Sequence, residues 1–193
     1  YTGDLFSAPT PTEVRFELRD VTLRVPCQPS KFIGLWNNFY EAANKQGLAI
    51  PTEPLYFIKA PSSHLAHEEP IQRPATYAGR VVFEGELGVI IGKRIRDVSE
   101  SDAEAAIFGY TCVNDVTALD LITADPAFPQ WTRAKSFDTF GAFGPWISTG
   151  VDPSQLSVRT APGDRSTKLP FGSGSRARRP RTRRNKWMFT VEL

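Results

Sequence analysis

The run from Val81 to Gly92, Val-Val-Phe-Glu-Gly-Glu-Leu-Gly-Val-Ile-Ile-Gly, constrains the fold more than any other stretch of this chain. Its branched apolar residues predict a strand over 80–91. A strand points residues i and i+2 to the same face, so Glu84 and Glu86 converge on one small volume. Two carboxylates held that close in apolar surroundings are costly unless they share a proton or meet a cation. Further on, Asn114-Asp115 closes a second apolar segment, residues 108–113. Three carboxylates with no neighbouring His or Cys suit a hard, oxygen-seeking ion such as Mg²⁺, Mn²⁺ or Ca²⁺ rather than Zn²⁺. The plainer alternative is an edge strand whose acids face water.

The length of 193 residues allows one domain with a real core. No apolar run is long enough to span a membrane and no leader pattern is present, which points to a soluble, cytoplasmic protein. The first residue is Tyr, which reads as a fragment or a processed form. Cys27 and Cys112 stand in no metal or redox spacing and read as reduced packing thiols. Charge is uneven: seven of the 23 basic residues, but one of the 21 acidic, lie in residues 171–193. A mildly acidic body is joined to a strongly basic end.

Alternation of Val14, Phe16 and Leu18, then Val21, Leu23 and Val25, predicts a strand or a hairpin. Residues 30–35 read as a short buried strand, and 38–46 as a helix stopped by Gly47. A strand follows over 55–58. Loop 59–70 has little periodicity, and such loops often carry function. Its Ser62 and Ser63 are candidate substrate contacts, and His64 and His67, with Glu68 and Glu69, are candidate bases. Ser99 reads as an N-cap, with Asp102 three residues on, for a helix through about Phe108. Residues 141–146 read as turn-rich and 146–149 as a strand. Many short strands and few helices make the chain mainly β with some α.

Several pieces together resemble the fumarylacetoacetate hydrolase family. They are Phe83-Glu84-Gly85-Glu86-Leu87 through Gly92-Lys93-Arg94, and Gly109-Tyr110-Thr111 to Asn114-Asp115-Val116-Thr117-Ala118-Leu119-Asp120. Gln130-Trp131-Thr132-Arg133-Ala134-Lys135-Ser136-Phe137-Asp138 and Gly144-Pro145-Trp146 complete the ordered set, over roughly residues 21–160. The resemblance implies an α+β fold of mixed β-sheets rolled into a barrel-like core, in a homodimer. It implies that Glu84, Glu86 and Asp115 bind Mg²⁺ or Mn²⁺, that Lys135 is the active-site lysine, and that Gln130 and Asp120 lie near a small oxo-acid substrate. A metal Lewis acid would stabilise the enolate of such an acid, and Lys135 would add positive charge where negative charge develops.

Two departures shape the functional expectation. Family members that hydrolyse C–C bonds carry an Asn-Tyr-x-x-His-Ala-x-Glu stretch, whose His and Glu activate water. Here Ala42 and Lys45 stand at those two positions. The expectation is therefore an isomerase or decarboxylase of unsaturated 2-oxo acids from aromatic meta-cleavage catabolism. The alternative is C–C hydrolysis of an acylpyruvate-like substrate, with His64 or His67 as a substitute base. The second departure is the end of the chain. Residues 1–160 read as an incomplete catalytic domain and residues 161–193 as a basic, low-complexity tail, disordered or frame-shifted. Read one base along, the codon families for 161–170 can spell a strand closer to the family's next one. A third expectation is an inactive scaffold, or one that binds polyanions through Arg176 to Lys186. Without interleaved aromatics, the sequence argues against nucleic acid as a partner.

Overall fold

The computed structural model of the chain describes residues 12–162, 167–168 and 187–192. Strand β1 (Phe32–Trp36) pairs antiparallel with β2 (Leu55–Lys59), and α1 (Tyr40–Gln46) lies between them in sequence. Then come β3 (His64–Leu65), β4 (Val81–Val82), β5 (Gly85–Ile91), α2 (Glu100–Glu104), β6 (Ile107–Asp115) and β7 (Thr117–Ala118). Helix α3 (Trp131–Lys135), β8 (Gly141–Ser148), β9 (Ser157–Pro162), β10 (Thr167–Lys168) and β11 (Trp187–Glu192) complete the chain.

The central sheet has the order β3-β8-β6-β5. Strand β3 runs parallel to β8 and the other pairs are antiparallel, so the sheet is mixed as the sequence predicts. Smaller sheets are β1-β2, β4-β7 and β10-β9-β11, and among the described residues none closes into a barrel. A tight core of Tyr77, Val116, Ala118 and Phe140 sits behind β7, with Phe83, Leu121 and Phe137 packed against it. Removing a fully buried ring such as Phe140 from such a core costs about 3–5 kcal/mol.

Local chemistry explains most elements. Gly47 caps α1 in the left-handed conformation (φ 64°), where a Cβ would be strained. Ser99 Oγ accepts from the Asp102 amide and caps α2. That helix stops at Glu104, short of Phe108, because Ile107 onward pairs with β5.

Other expectations are corrected. Residues 14–25 form no strand but an open segment with a single 3-10 turn, Leu18–Asp20. Alternation alone did not decide it, and Phe16 is 76% exposed, with no strand among the described residues pairing it. The strand near residue 30 exists, yet Ile33 and Leu35 face outward and only its other face is covered. The 80–91 strand is broken at Phe83-Glu84 into β4 and β5, which join different sheets. The Gly/Pro-rich stretch 141–146 is not a turn but the first part of β8, buried over 141–144. Of the expected tail over residues 161–193, residues 163–166, 169–186 and 193 lie outside the described residues.

Candidate active site

The register of the central sheet puts three carboxylates on one face. Glu86 pairs with Val113 and Gly85 with Asn114, and the Asp115 amide donates to the Glu84 carbonyl at 2.9 Å. Alternate residues share a face, so Glu84, Glu86 and Asp115 point the same way. Helix α3 delivers Lys135 to them. Its Trp131 stacks on Phe57 of β2 (ring centroids 6.0 Å apart) and its Ala134 is fully buried. The Lys135 ammonium donates to Asp115 Oδ2, to Thr117 Oγ1 at 2.9 Å and to Glu84 Oε2 at 3.3 Å. It also stands 4.6 Å from the Phe57 ring centre, in cation–π range.

A second lysine enters that sequence reasoning missed. Lys59 ends β2, is 1% exposed, and donates from Nζ to Asp115 Oδ1 at 2.6 Å and to the Val116 carbonyl at 3.3 Å. Burial pulls its pKa down, while the Asp115 carboxylate and its hydrogen bond oppose that. The only sequence signal is a single lysine ending an otherwise apolar strand, which does not say which way it faces.

Glu86 is the group under most electrostatic pressure. Burial, then the negative charges of Glu84 and Asp115, raise its pKa to about 8, with Lys135 acting in the other direction. A carboxyl that resists ionisation beside two more is what an added cation would relieve. Among the described residues the carboxylates do not close into a ready cage of metal ligands. Instead the Lys135 ammonium occupies the place of positive charge between Glu84 and Asp115. The all-oxygen donor set nonetheless fits a hard divalent ion in its chemistry.

The remaining predicted residues divide. His64 opens β3 opposite Gly141, and Gly141 lies opposite Asp115, so His64 shares the carboxylate face. Two strand spacings place its Cα about 10 Å from that of Asp115. Its ring packs against Phe32 (5.6 Å) and Phe143 (5.4 Å), and its buried Nε2 has no hydrogen-bond partner among the described residues. Burial lowers its pKa, which keeps the imidazole neutral.

His67 is placed elsewhere. With Glu68 and Glu69 it lines a cavity of about 920 Å³ between residues 18–23 and the other face of the sheet, the face bearing Leu87 and Cys112. Asp120 is tied to the turn before β4. Its carboxylate accepts from the Arg80 amide (2.7 Å), from Arg80 Nε (3.3 Å) and from Tyr77 OH (3.3 Å). Gln130 caps the start of α3 and donates to the Phe128 carbonyl. Ser62 is exposed, whereas Ser63 is buried and donates to the Ala60 carbonyl at 2.7 Å. The structure thus brings together Glu84, Glu86, Asp115 and Lys135, with His64 on the same face.

Mixed short sheets around an acidic, lysine-lined face define the class, and comparison gives the family. The family described as Fumarylacetoacetate (FAA) hydrolase C-terminal matches residues 31–187, and the chain belongs to it. An uncharacterised protein of Archaeoglobus fulgidus is 44% identical over 135 residues, covering 70% of this chain and 52% of that protein. A 2-hydroxyhepta-2,4-diene-1,7-dioate isomerase from Mycobacterium marinum is similar in structure (TM-score 0.73, 37% identity), over 86% of this chain and 60% of its own. So is a fumarylacetoacetate hydrolase from Exiguobacterium antarcticum (TM-score 0.62, 35% identity), over 72% and 50%. The chain therefore spans about half to three fifths of each of these proteins.

Proposed function

We propose that this protein is a Mg²⁺- or Mn²⁺-dependent isomerase or decarboxylase of unsaturated 2-oxo acids from aromatic catabolism, working as a homodimer. One observation carries the reading: an acid cluster with a buried lysine stands on one face of the sheet. The family resemblance adds that Ala42 and Lys45 stand where hydrolytic members carry a His and a Glu. Glu84, Glu86 and Asp115 would hold the ion, which when bound supplies Lewis-acid stabilisation of negative charge on an oxo-acid.

The chain's own groups do the rest. Lys135, held by Thr117 and aimed past Glu84, presents fixed positive charge to a substrate carboxylate or to charge developing beside it. Ala42 and Lys45 lack the imidazole and carboxylate that activate water, which favours moving a proton over adding water. His64 is the group on this face suited to carry that proton, because it is neutral and its Nε2 is uncommitted. Phe32 and Phe143 flank its ring and limit water there.

C–C hydrolysis is the second reading, favoured by the structural similarity to the E. antarcticum hydrolase, with His64 as the base. Mass spectrometry of products from a 2-hydroxy-dienedioic acid separates the two. Isomerisation conserves mass and decarboxylation loses CO₂ alone, and either result is the expected one. Two carbon fragments would overturn the first reading in favour of the second.

A further inference from the structure

Asp115 is gripped from both sides. Lys59 takes Oδ1 and Lys135 takes Oδ2, yet the two lysines differ in what else they touch. The other acceptor of Lys59 is the Val116 carbonyl, so both its bonds end on the last turn of chain out of β6, inside the protein. Lys135 also reaches Glu84, whose side chain is 40% exposed, and so faces the open side of the cluster.

The space for Lys59 is made by a residue with no side chain. A Cβ on Gly141 would stand 3.3 Å from Lys59 Cε, 3.3 Å from Phe32 Cε1 and 2.7 Å from Ser63 Oγ. The bare backbone of β8 leaves room on the carboxylate face for the lysine stem, beside Ser63 and Phe32. A buried carboxylate that loses one of two ammonium partners is left with uncompensated charge, which draws the remaining ammonium toward it.

We propose that Lys59 is a positioning residue: by holding Oδ1 of Asp115 from its buried side, it keeps Lys135 from becoming the sole counter-ion of that carboxylate. Lys135 then stays directed toward Glu84 and a bound acid, and Asp115 keeps its outward edge for a cation. The inference rests on the proposed function for the roles of Asp115 and Lys135, but the clamp itself does not.

The test compares the full chain with its Lys59→Met and Lys59→Arg variants in two assays. Metal-free hydrogen–deuterium exchange is read in the peptide covering 113–118, and Mn²⁺ affinity is read from the free-ion EPR signal. Lys59→Met is expected to raise exchange in 113–118 while the distant α2 region stays as it was. It is also expected to weaken Mn²⁺ binding by about tenfold, the lower range for losing a group that orients a metal ligand. Lys59→Arg is expected to recover a substantial part of both.

If Lys59→Met only lowers the melting temperature, with local exchange and Mn²⁺ affinity intact, Lys59 is structural and the proposal is overturned. If the parent chain itself fails to bind Mn²⁺, the metal reading fails, and exchange in 113–118 alone decides the clamp. Should Lys59→Met not fold, Lys59→Gln serves instead, since it removes the charge and shortens the reach to Oδ1 while keeping a polar end for the Val116 carbonyl. The same local signature supports the clamp, and its absence contradicts it.

Discussion

Glu86 shows how much a single residue's surroundings can impose. Its pKa lies at about 8 against an ordinary 4.5, so between those values the folded chain holds a proton that the unfolded chain has lost. The folded state binds more protons there, and stability falls as pH rises through that window. Replacing Glu86 with Gln is expected to flatten the fall, as read from urea midpoints at about pH 5.5 and about pH 8, both within the window. His64 has the opposite sign. Its lowered pKa means that stability is present above the ordinary value and is lost as pH drops below it, a loss that His64→Phe should remove. The acidic pair was legible in the sequence because a strand's period forces i and i+2 together. Lys59 was not, because its inward direction depends on a register that only the pairing of β1 with β2 sets.

Among the elements, the β1–β2 ribbon does most to aim the site. Its inner face carries Phe57 and Lys59, and its outer face carries Ile33, Leu35, Tyr56 and Ile58. Gly34 sits opposite Phe57, where a Cβ would collide with the ring that backs Trp131 and Lys135. Gly34→Ala is expected to destabilise by about 1–3 kcal/mol, the usual range for overpacking, as measured by chemical denaturation. Helix α2 carries no part of the site, so Ser99→Ala should cost about 1 kcal/mol through the lost cap and leave activity unchanged. That cap and the Gly47 stop were readable because each is a local rule. The start of β8 was not, because Gly141, Phe143 and Gly144 answer to what packs on them rather than to their own turn preference. Residues 14–25 misled in the reverse direction: a period of two makes no sheet where no described strand lies alongside to pair it.

Over the whole molecule, the family was legible from ordered motifs, and the match over residues 31–187 bears that out. The face on which each histidine lands was not. His64 and His67 are three residues apart in one loop, yet β3 directs one toward the carboxylates while the other lines the cavity behind the sheet. Substituting His67 with Ala is accordingly expected to leave turnover within about twofold, whereas His64→Ala should lower it by about 10²-fold or more, as general acid–base groups do. Steady-state rates on a 2-hydroxy-dienedioic acid check both.

The proposed activity depends most on Glu84, Glu86 and Asp115 forming a seat for a divalent cation. Thermal unfolding of the full chain and of Glu86→Ala, each titrated with Mn²⁺, tests it most directly. The parent chain should melt at steadily higher temperature as Mn²⁺ rises, following the logarithm of ligand concentration, and the variant should respond weakly or not at all. Equal stabilisation of both chains, or none of either, would contradict the site.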